Sequence, residues 1–403
     1  MGALAHRLAH PAGPPCVCEP PRILADRPDG TVVRSGAVVA KAHAADTDRE
    51  ALAARIALAA APGLAGILLP PLTAPEDVER AERDGRPATP HLGVAALYGS
   101  TTAPDGGVAT SGGSHAASDA GLVAPRVGVA APAGSTTAPD GGVATLGGSP
   151  AASDAGLVAP RVGVAAPAGS PGAPGGRPVS LWPLGTPVDP TDPGAAPWAE
   201  AAELLARLHR TAPPFPLPPM RGPAKAARAV ARMSAARPGD PALLPVLAGW
   251  RTLPAWARDE AAPPALRSGF LCHGDLHLGQ LVRHPVPDGP WLLIDVDDAG
   301  VGDPAWDLAR PAAWYAAGLL APEDWSVFLH AYRSAGGPAV PADGDPWPVL
   351  DVPARALTVQ TAAVALAKCA AEQRDPDAHE QLMIESCARI ATLPPELTPG
   401  PAS

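Results

Sequence analysis

The chain has little of what marks membrane, secreted and nucleic-acid-binding proteins. No uninterrupted apolar run reaches about 18 residues, so no transmembrane helix is expected. The first residues also lack the long apolar core of a signal peptide. The five cysteines are odd in number and scattered, which favours reduced thiols over a disulfide framework. The net charge of −10 argues against binding to nucleic acid or to an anionic membrane surface. We therefore expect a cytoplasmic protein with neither of those partners, and the sequence leaves its oligomeric state open.

Lysine is also scarce. The chain has only Lys41, Lys225 and Lys368, and arginine supplies almost all of its positive charge. Codon bias is one explanation of this preference. Each of the three lysines is still a candidate for a specific task.

Glycine and proline are abundant, with 42 and 55 residues of 403, and many of them lie in a tandem repeat. Residues 99–133 recur as 134–168 with two changes, since Ser111 corresponds to Leu146 and His115 to Pro150. Two copies are too few for a solenoid, and they hold too few large apolar residues to offset the loss of chain entropy. We expect a flexible, low-complexity insertion at about 80–176.

The residues before this insertion predict a small β-rich lobe. β-branched runs with turn dipeptides at Asp29-Gly30 and Ser35-Gly36 predict three short strands over 22–43, the last of which carries Lys41. A helix is predicted over 46–60 and a buried strand over 66–72. With a further strand at 179–182, we expect an N-terminal lobe over 20–182, interrupted by the insertion.

The residues after 183 predict mostly helices. The amphipathic pattern of 197–210 is the clearest, and further helices are expected at 304–320 and 354–392, the last with a break at Asp375-Pro376. A buried strand is predicted at 291–296. The chain is therefore expected to be α+β, with a larger and mostly helical C-terminal lobe over 183–395.

Polar residues with a distinctive spacing occur in "LCHGDLHLGQ" and "IDVDDAGVGDPAWDLA". Asp275 precedes Gln280 by five residues, and Asp295 follows one strand later. This order suits phosphoryl transfer, in which a carboxylate accepts the hydroxyl proton of the acceptor and two oxygen ligands hold Mg²⁺. The short connection between Asp295 and the next helix leaves no platform for a peptide, so a small-molecule acceptor is favoured.

Two other hypotheses remain. His273, Asp275 and His277 form an HxDxH pattern that could bind the metal of a metallohydrolase, although a zinc site of that type would need further histidines. The chain could also be a catalytically inactive, pseudokinase-like binding or regulatory protein.

The segments "HGDLHLGQ", "IDVDDAGVGDPAWDLA" and "LLARLH" resemble the aminoglycoside/choline phosphotransferase family of small-molecule kinases. The resemblance covers about 177–320, and a weaker one covers 22–72. It implies a two-lobed, protein-kinase-like fold. It also implies Mg²⁺-dependent transfer of the γ-phosphoryl group of ATP, with GTP as the alternative donor, to a hydroxyl group of an aminoglycoside, sugar or amino alcohol.

The resemblance also implies roles for individual residues. Asp275 corresponds to the catalytic base, and Gln280 and Asp295 to the Mg²⁺ ligands. His273 would orient the catalytic loop, and Asp307 would brace that loop from the following helix. In the N-terminal lobe, Lys41 would bind the α- and β-phosphates, Glu50 would pair with Lys41, and the backbone at Trp182 and Gly185 would bind the adenine edge.

The sequence departs from the family pattern at three points. The family usually has Asn where Gln280 stands, although maltokinase-like relatives resemble the Gln form. The spacing from Glu50 to the next strand is longer than usual and would place the partner of Lys41 near Arg55. No GxGxxG stands before Lys41, so the turn at 26–30 would have to cover the phosphates. Trp306, Trp314 and Tyr315 are candidates for either the acceptor pocket or the core.

Overall fold

The computed structural model describes residues 20–27, 30–72, 176–264 and 269–393. The predicted turn at Asp29, the segment 80–175 with both repeat copies, and the cysteines Cys16 and Cys18 lie outside these residues. All described residues belong to one compact unit of the chain.

The N-terminal lobe contains a four-stranded antiparallel sheet in the order β1-β2-β3-β4. Its strands are β1 Arg22–Arg27, β2 Gly30–Ser35, β3 Val38–His43 and β4 Val179–Pro183. The turn before β3 contains Gly36, whose φ of +56° suits glycine. Strand alternation buries Val38, Ala40 and Ala42 on one face, so Lys41 points to the other face.

Short strands at the centre of the chain position its polar loops. β5 Thr186–Pro187, β7 Leu281–Arg283 and β8 Trp291–Leu293 form a three-stranded sheet, and β6 Phe270–Cys272 pairs with β9 Gly300–Gly302. Strands β6 and β7 flank the loop that carries Asp275, and strands β8 and β9 flank the loop that carries Asp295. Both polar loops are therefore fixed by strands at both ends.

Helices form most of the remaining described structure, as the sequence predicts. In chain order they are α1 Arg49–Ala59, α2 Trp198–Arg210, α3 Gly222–Ala236, α4 Leu244–Thr252, α5 Ala305–Ala317, α6 Pro322–Ser334, α7 Trp347–Glu372 and α8 Ala378–Ile390. The predicted break near Asp375 is confirmed, because α8 restarts at a capping box in which Asp377 and Glu380 bond each other's backbone N–H.

The strand predicted at 66–72 is replaced by isolated bridges. Leu69 N–H donates to Leu293 O at 2.9 Å, and Leu293 N–H donates to Ile67 O at 2.8 Å. Pro70 and Pro71 lack the N–H groups needed to continue a ladder. Ile67, Leu68 and Leu69 are nonetheless buried, as the sequence predicts.

One large hydrophobic core joins α1, α2, the short strands and α5 to α7. Leu204, Leu205 and Leu208 of α2 are fully or almost fully buried, in agreement with the amphipathic pattern. Among the described residues, α7 is the one helix long and apolar enough to cross a membrane, but 78% of its apolar stretch is buried inside the protein. Burial of that kind is typical of a core helix.

Candidate active site

The loop after β6 is braced by Asp307, in the first turn of α5. One carboxylate oxygen accepts the backbone N–H of His273 at 2.7 Å, and the other accepts that of Gly274 at 2.7 Å. His209 of α2 donates from Nε2 at 2.9 Å. Burial opposes ionisation of Asp307, but the hydrogen bond and attraction of His209, with the His273 contacts, outweigh it and lower its pKa. The loop is thus held by a buried, ionised aspartate.

His273 links this loop to the end of β8. Its buried ring donates from Nε2 to the carbonyl oxygen of Ile294 at 2.8 Å, which fixes the tautomer. Ile294 immediately precedes Asp295. The imidazole therefore sets the distance between the loop of Asp275 and the loop of Asp295.

Asp275 lies between two cations. Its Oδ1 accepts from Arg310 of α5 at 2.6 Å, and its Oδ2 lies 2.8 Å from Nζ of Lys225 of α3. Burial alone would raise the pKa of Asp275, but attraction to Lys225 and Arg310 lowers it far below the usual range. The carboxylate is therefore ionised and oriented.

Gln280 and Asp295 lie side by side, although fifteen residues separate them. The side-chain amide nitrogen of Gln280 is 3.4 Å from Asp295 Oδ2. The backbone N–H of Ile294 donates to the backbone carbonyl oxygen of Gln280 at 2.9 Å. Asp295 adopts a left-handed backbone conformation with φ 63°. If the Gln280 amide turns over, it offers an oxygen beside a carboxylate, which is the ligand chemistry that suits Mg²⁺. The donor set therefore fits a magnesium ion.

Lys41 reaches this pair from β3. Its Nζ lies 2.6 Å from Asp295 Oδ1 and 3.0 Å from Asp297 Oδ2. Burial favours the neutral amine, but the two carboxylates outweigh it and raise the pKa of Lys41. Asp297 also accepts from His43 Nδ1 at 3.0 Å. The sheet of the N-terminal lobe is therefore joined to the loop of Asp295 by charged contacts.

Glu50 is not brought to Lys41. It lies exposed in the first turn of α1, while that helix buries Arg55. The Arg55 guanidinium donates to Ala299 O at 2.7 Å and to Pro219 O at 3.3 Å. Among the described residues, the carboxylates that pair with Lys41 are those of Asp295 and Asp297.

Trp182 and Gly185 lie at the junction of the two sheets. Trp182 is buried in β4, and its Nε1 donates to Ser180 Oγ at 2.9 Å. A Cβ atom on Gly185 would lie 2.5 Å from the Cβ of Val282, so only glycine allows this close approach. The segment is a tight connection between the lobes, at the backbone that the family resemblance assigns to the adenine edge.

Three charged contacts in the site were not assigned from the sequence. They involve Lys225, Arg310 and Asp298, and the scarcity of lysine was the one signal that pointed to Lys225. Arg310 lies one helical turn after Asp307, but its contact with Asp275 as a second cation follows no pattern that spacing reveals.

The HxDxH residues are each engaged elsewhere. His273 Nε2 donates to a carbonyl, and His277 Nδ1 accepts the N–H of Gly279 at 3.0 Å. Burial and the nearby Arg310 lower the pKa of His277 to about 3. Within the described ranges, the one cluster of metal-ligand type comprises His209, Cys272 and Asp307, and it braces the loop instead. These contacts disfavour the metallohydrolase hypothesis.

A cleft opens next to Asp275 between α3, α5 and α7. Leu357 and Gln360 of α7 face Trp306 and Arg310 of α5 across it. Its lining residues are Gly222, Gly274, Asp275, Leu276, Trp306, Arg310, Leu357 and Gln360. Tyr315, in contrast, stacks on Trp325 with ring centroids 5.5 Å apart, as part of the aromatic core. The cleft is small, with room for about one water molecule beside Asp275.

Comparisons with known proteins point to one family. Residues 152–347 match the family model described as phosphotransferase enzyme family. The fold is similar to that of a choline/ethanolamine kinase family protein from Mesorhizobium loti, with a TM-score of 0.50 and 13% identity over 98% of this chain and 97% of that chain. No curated protein sequence matches. At this identity, the structural similarity concerns the fold alone.

Proposed function

We propose that the chain, whose residues 152–347 match the phosphotransferase enzyme family, transfers the γ-phosphoryl group of ATP to a hydroxyl group of a small molecule. The observation that carries the proposal is the convergence of Asp275, Gln280, Asp295 and Lys41 from three separate segments. These are the parts that phosphoryl transfer requires: a base, oxygen ligands for a metal and a cation for phosphate.

Asp275 is proposed as the base. Its ionised carboxylate would accept the proton of the acceptor hydroxyl while the oxygen attacks phosphorus. A carboxylate of low pKa is a weak base, which suits a loose transition state in which the proton leaves late. The Asp307 and His273 contacts hold its loop still, so the main contribution of the protein would be positioning.

Gln280 and Asp295 are proposed to hold Mg²⁺, which when bound neutralises charge on the phosphate oxygens. Lys41 is proposed to bind the α- and β-phosphates, because its ammonium already lies at the Asp295 carboxylate. Backbone groups at Trp182 and Gly185 would contact the adenine, or the guanine of GTP. Glu50 has no part in this proposal, because Lys41 pairs with Asp295 and Asp297.

The acceptor is proposed to be neutral or anionic. Among the described residues that line the cleft, Asp275 supplies the only carboxylate, and two cations already neutralise it. A polycationic aminoglycoside would need more negative charge than this. An acceptor screen should therefore favour uncharged sugars over aminoglycosides and amino alcohols.

The wider context is proposed from the sequence. The lobes would divide near residue 183, with the low-complexity insertion inside the N-terminal lobe, and the protein would act in the cytoplasm on small molecules. The alternative is an inactive, kinase-like binding protein, which the test below separates from the enzyme.

The test is metal-dependent nucleotide binding. Mg²⁺ with ATP or GTP should raise the melting temperature of the wild type, since a ligand stabilises the folded state that binds it. Asp295→Ala should abolish the Mg²⁺-dependent part, and Asp288→Ala, an exposed residue of the β7–β8 turn, should not. Absence of any shift in the wild type would contradict the proposed function. A shift without turnover of any acceptor would favour the inactive alternative.

A further inference from the structure

Lys225 bridges the two loops of the proposed site. Its Nζ lies 2.8 Å from Asp275 Oδ2 and 2.7 Å from Asp298 Oδ2, and its side chain is only 19% exposed. Asp275 is the proposed base, and Asp298 follows the proposed metal ligand Asp295 by three residues. One ammonium group therefore contacts both sides of the reaction centre.

The transferred group has to pass this ammonium. The acceptor oxygen must contact Asp275, while the phosphate oxygens must face the metal at Gln280 and Asp295. The phosphorus in transit therefore lies between the two loops that Lys225 connects. A cation in this gap is placed where negative charge develops during the reaction.

The hydrogen-bonding capacity of Lys225 is not exhausted. A lysine ammonium has three N–H donors, and the carboxylates of Asp275 and Asp298 take two of them. Asp298 also has a second cationic neighbour, since Arg221 Nε lies 3.5 Å from its Oδ1. Holding Asp298 therefore does not depend on Lys225 alone.

We infer that Lys225 is a catalytic residue that donates its third N–H to an oxygen of the transferred phosphoryl group while it orients Asp275. In this step the bond between the γ-phosphorus and the ADP oxygen breaks, and a bond from the acceptor oxygen to phosphorus forms. The acceptor proton moves to Asp275, and Lys225 offsets the charge of the phosphoryl oxygens. The inference rests on the proposed function.

Lys225→Met distinguishes a catalytic role of Lys225 from a role in which it only holds the two loops together. With water as the acceptor and Mg²⁺-ATP as the probe, we expect kcat for hydrolysis to fall about 100-fold, as for loss of one transition-state donor. Mg²⁺-ADP affinity should change little, because ADP lacks the transferred group. Lys225→Arg should recover part of the rate. Lys368→Met, which removes a lysine elsewhere, is the control.

A tether and a catalytic cation differ at Asp298. If Lys225 only held the loops together, Asp298→Asn would lower the rate as much as Lys225→Met does. The inference predicts that Lys225→Met lowers the rate more than Asp298→Asn does, because Asn still offers Lys225 an oxygen acceptor. The pH profile is a second readout. Asp275 faces the cations Lys225 and Arg310 and the titratable ring of His277, so loss of Lys225 should move the acid limb of kcat to higher pH.

A binding measurement keeps the inference testable without turnover. Addition of aluminium fluoride to Mg²⁺-ADP mimics the transferred group, and it should tighten ADP binding by the wild type much more than by Lys225→Met. Equal tightening in both, or an unchanged rate and pH profile in Lys225→Met, would overturn the inference. If Lys225→Met does not fold, the same comparison is made with Lys225→Gln. A wild type that neither binds nor hydrolyses Mg²⁺-ATP would instead contradict the proposed function.

Discussion

Asp307 is the residue on which the geometry of the catalytic loop depends most. Its two oxygens accept two backbone N–H groups and the His209 ring, all without contact with water. Such a carboxylate stabilises the fold only while it is ionised. Because its pKa is lowered in the folded state, this stabilisation is present above the pKa of unfolded aspartate and is lost as the pH falls through the folded pKa.

Asp307→Asn should destabilise the protein by about 3 kcal/mol, because the amide NH₂ would face a backbone N–H and leave it without an acceptor. Asp303→Asn is the matched control. In the wild type, Asp303 Oδ1 accepts the backbone N–H of Ala305 at 2.9 Å, and the asparagine side-chain oxygen would still accept it. Guanidinium unfolding measures both variants. An Asp307→Asn variant as stable as the wild type would show that the brace is not needed.

Lys41 and Glu50 give a second prediction. Lys41→Met should lower kcat/KM for Mg²⁺-ATP hydrolysis about 100-fold, because a phosphate-binding cation is lost. Glu50→Gln should leave it unchanged, because Glu50 is exposed and Lys41 pairs with Asp295 and Asp297. Steady-state kinetics of the two variants decide the matter. Equal losses in both would restore Glu50 as the partner of Lys41.

At the scale of the elements, Gly274 shows how closely the loop of Asp275 approaches the loop of Asp295. It has φ +82°, and a Cβ atom there would clash with the carbonyl oxygen of Asp298. Gly274→Ala should therefore cost about 2 kcal/mol or more and abolish Mg²⁺-ATP hydrolysis, because the loops must separate.

Gly269 is the control for this prediction, since a Cβ atom there would meet nothing within 4 Å. Unfolding and hydrolysis assays on Gly269→Ala should match the wild type. If Gly274→Ala also matched the wild type, the inferred tight contact between the two loops would be contradicted.

Elements and motifs differed in how far the sequence revealed them. The three strands over 22–43 and the helix at 197–210 followed from local periodicity and turn residues, which act within a few positions. The adjacent positions of Gln280 and Asp295 followed from family resemblance. The strand at 66–72 failed because Pro70 and Pro71 limit pairing. The cationic contacts of Asp275 come from α3 and α5, and no local pattern encodes contacts across 50 or 35 residues.

For the whole molecule, the tandem repeat gives a prediction of its own. Residues 134–168 duplicate 99–133 with two changes, and both copies hold too few large apolar residues for a packed core to be predicted. Deletion of 134–168 should leave the melting temperature and the Mg²⁺-ADP affinity unchanged. Calorimetry of the shortened chain measures both, and a large loss of either would show that the second copy has a structural role.

The two lobes meet at the contacts of Lys41 with Asp295 and of His43 with Asp297. The nucleotide, the metal and the acceptor would therefore be brought together where the sheet of one lobe faces the loops of the other. Catalysis would depend on this arrangement as a whole, and Asp275 is the residue that tests it, because it should act on the reaction without contributing to nucleotide affinity.

The most direct measurement is Mg²⁺-ATP hydrolysis by the wild type and Asp275→Asn, with Mg²⁺-ADP binding measured on the same samples. The account predicts a rate at least about 100-fold lower in the variant, since a general base contributes that much, with binding retained. An Asp275→Asn variant that turns over ATP as fast as the wild type would contradict the assignment of this site as a phosphoryl-transfer centre.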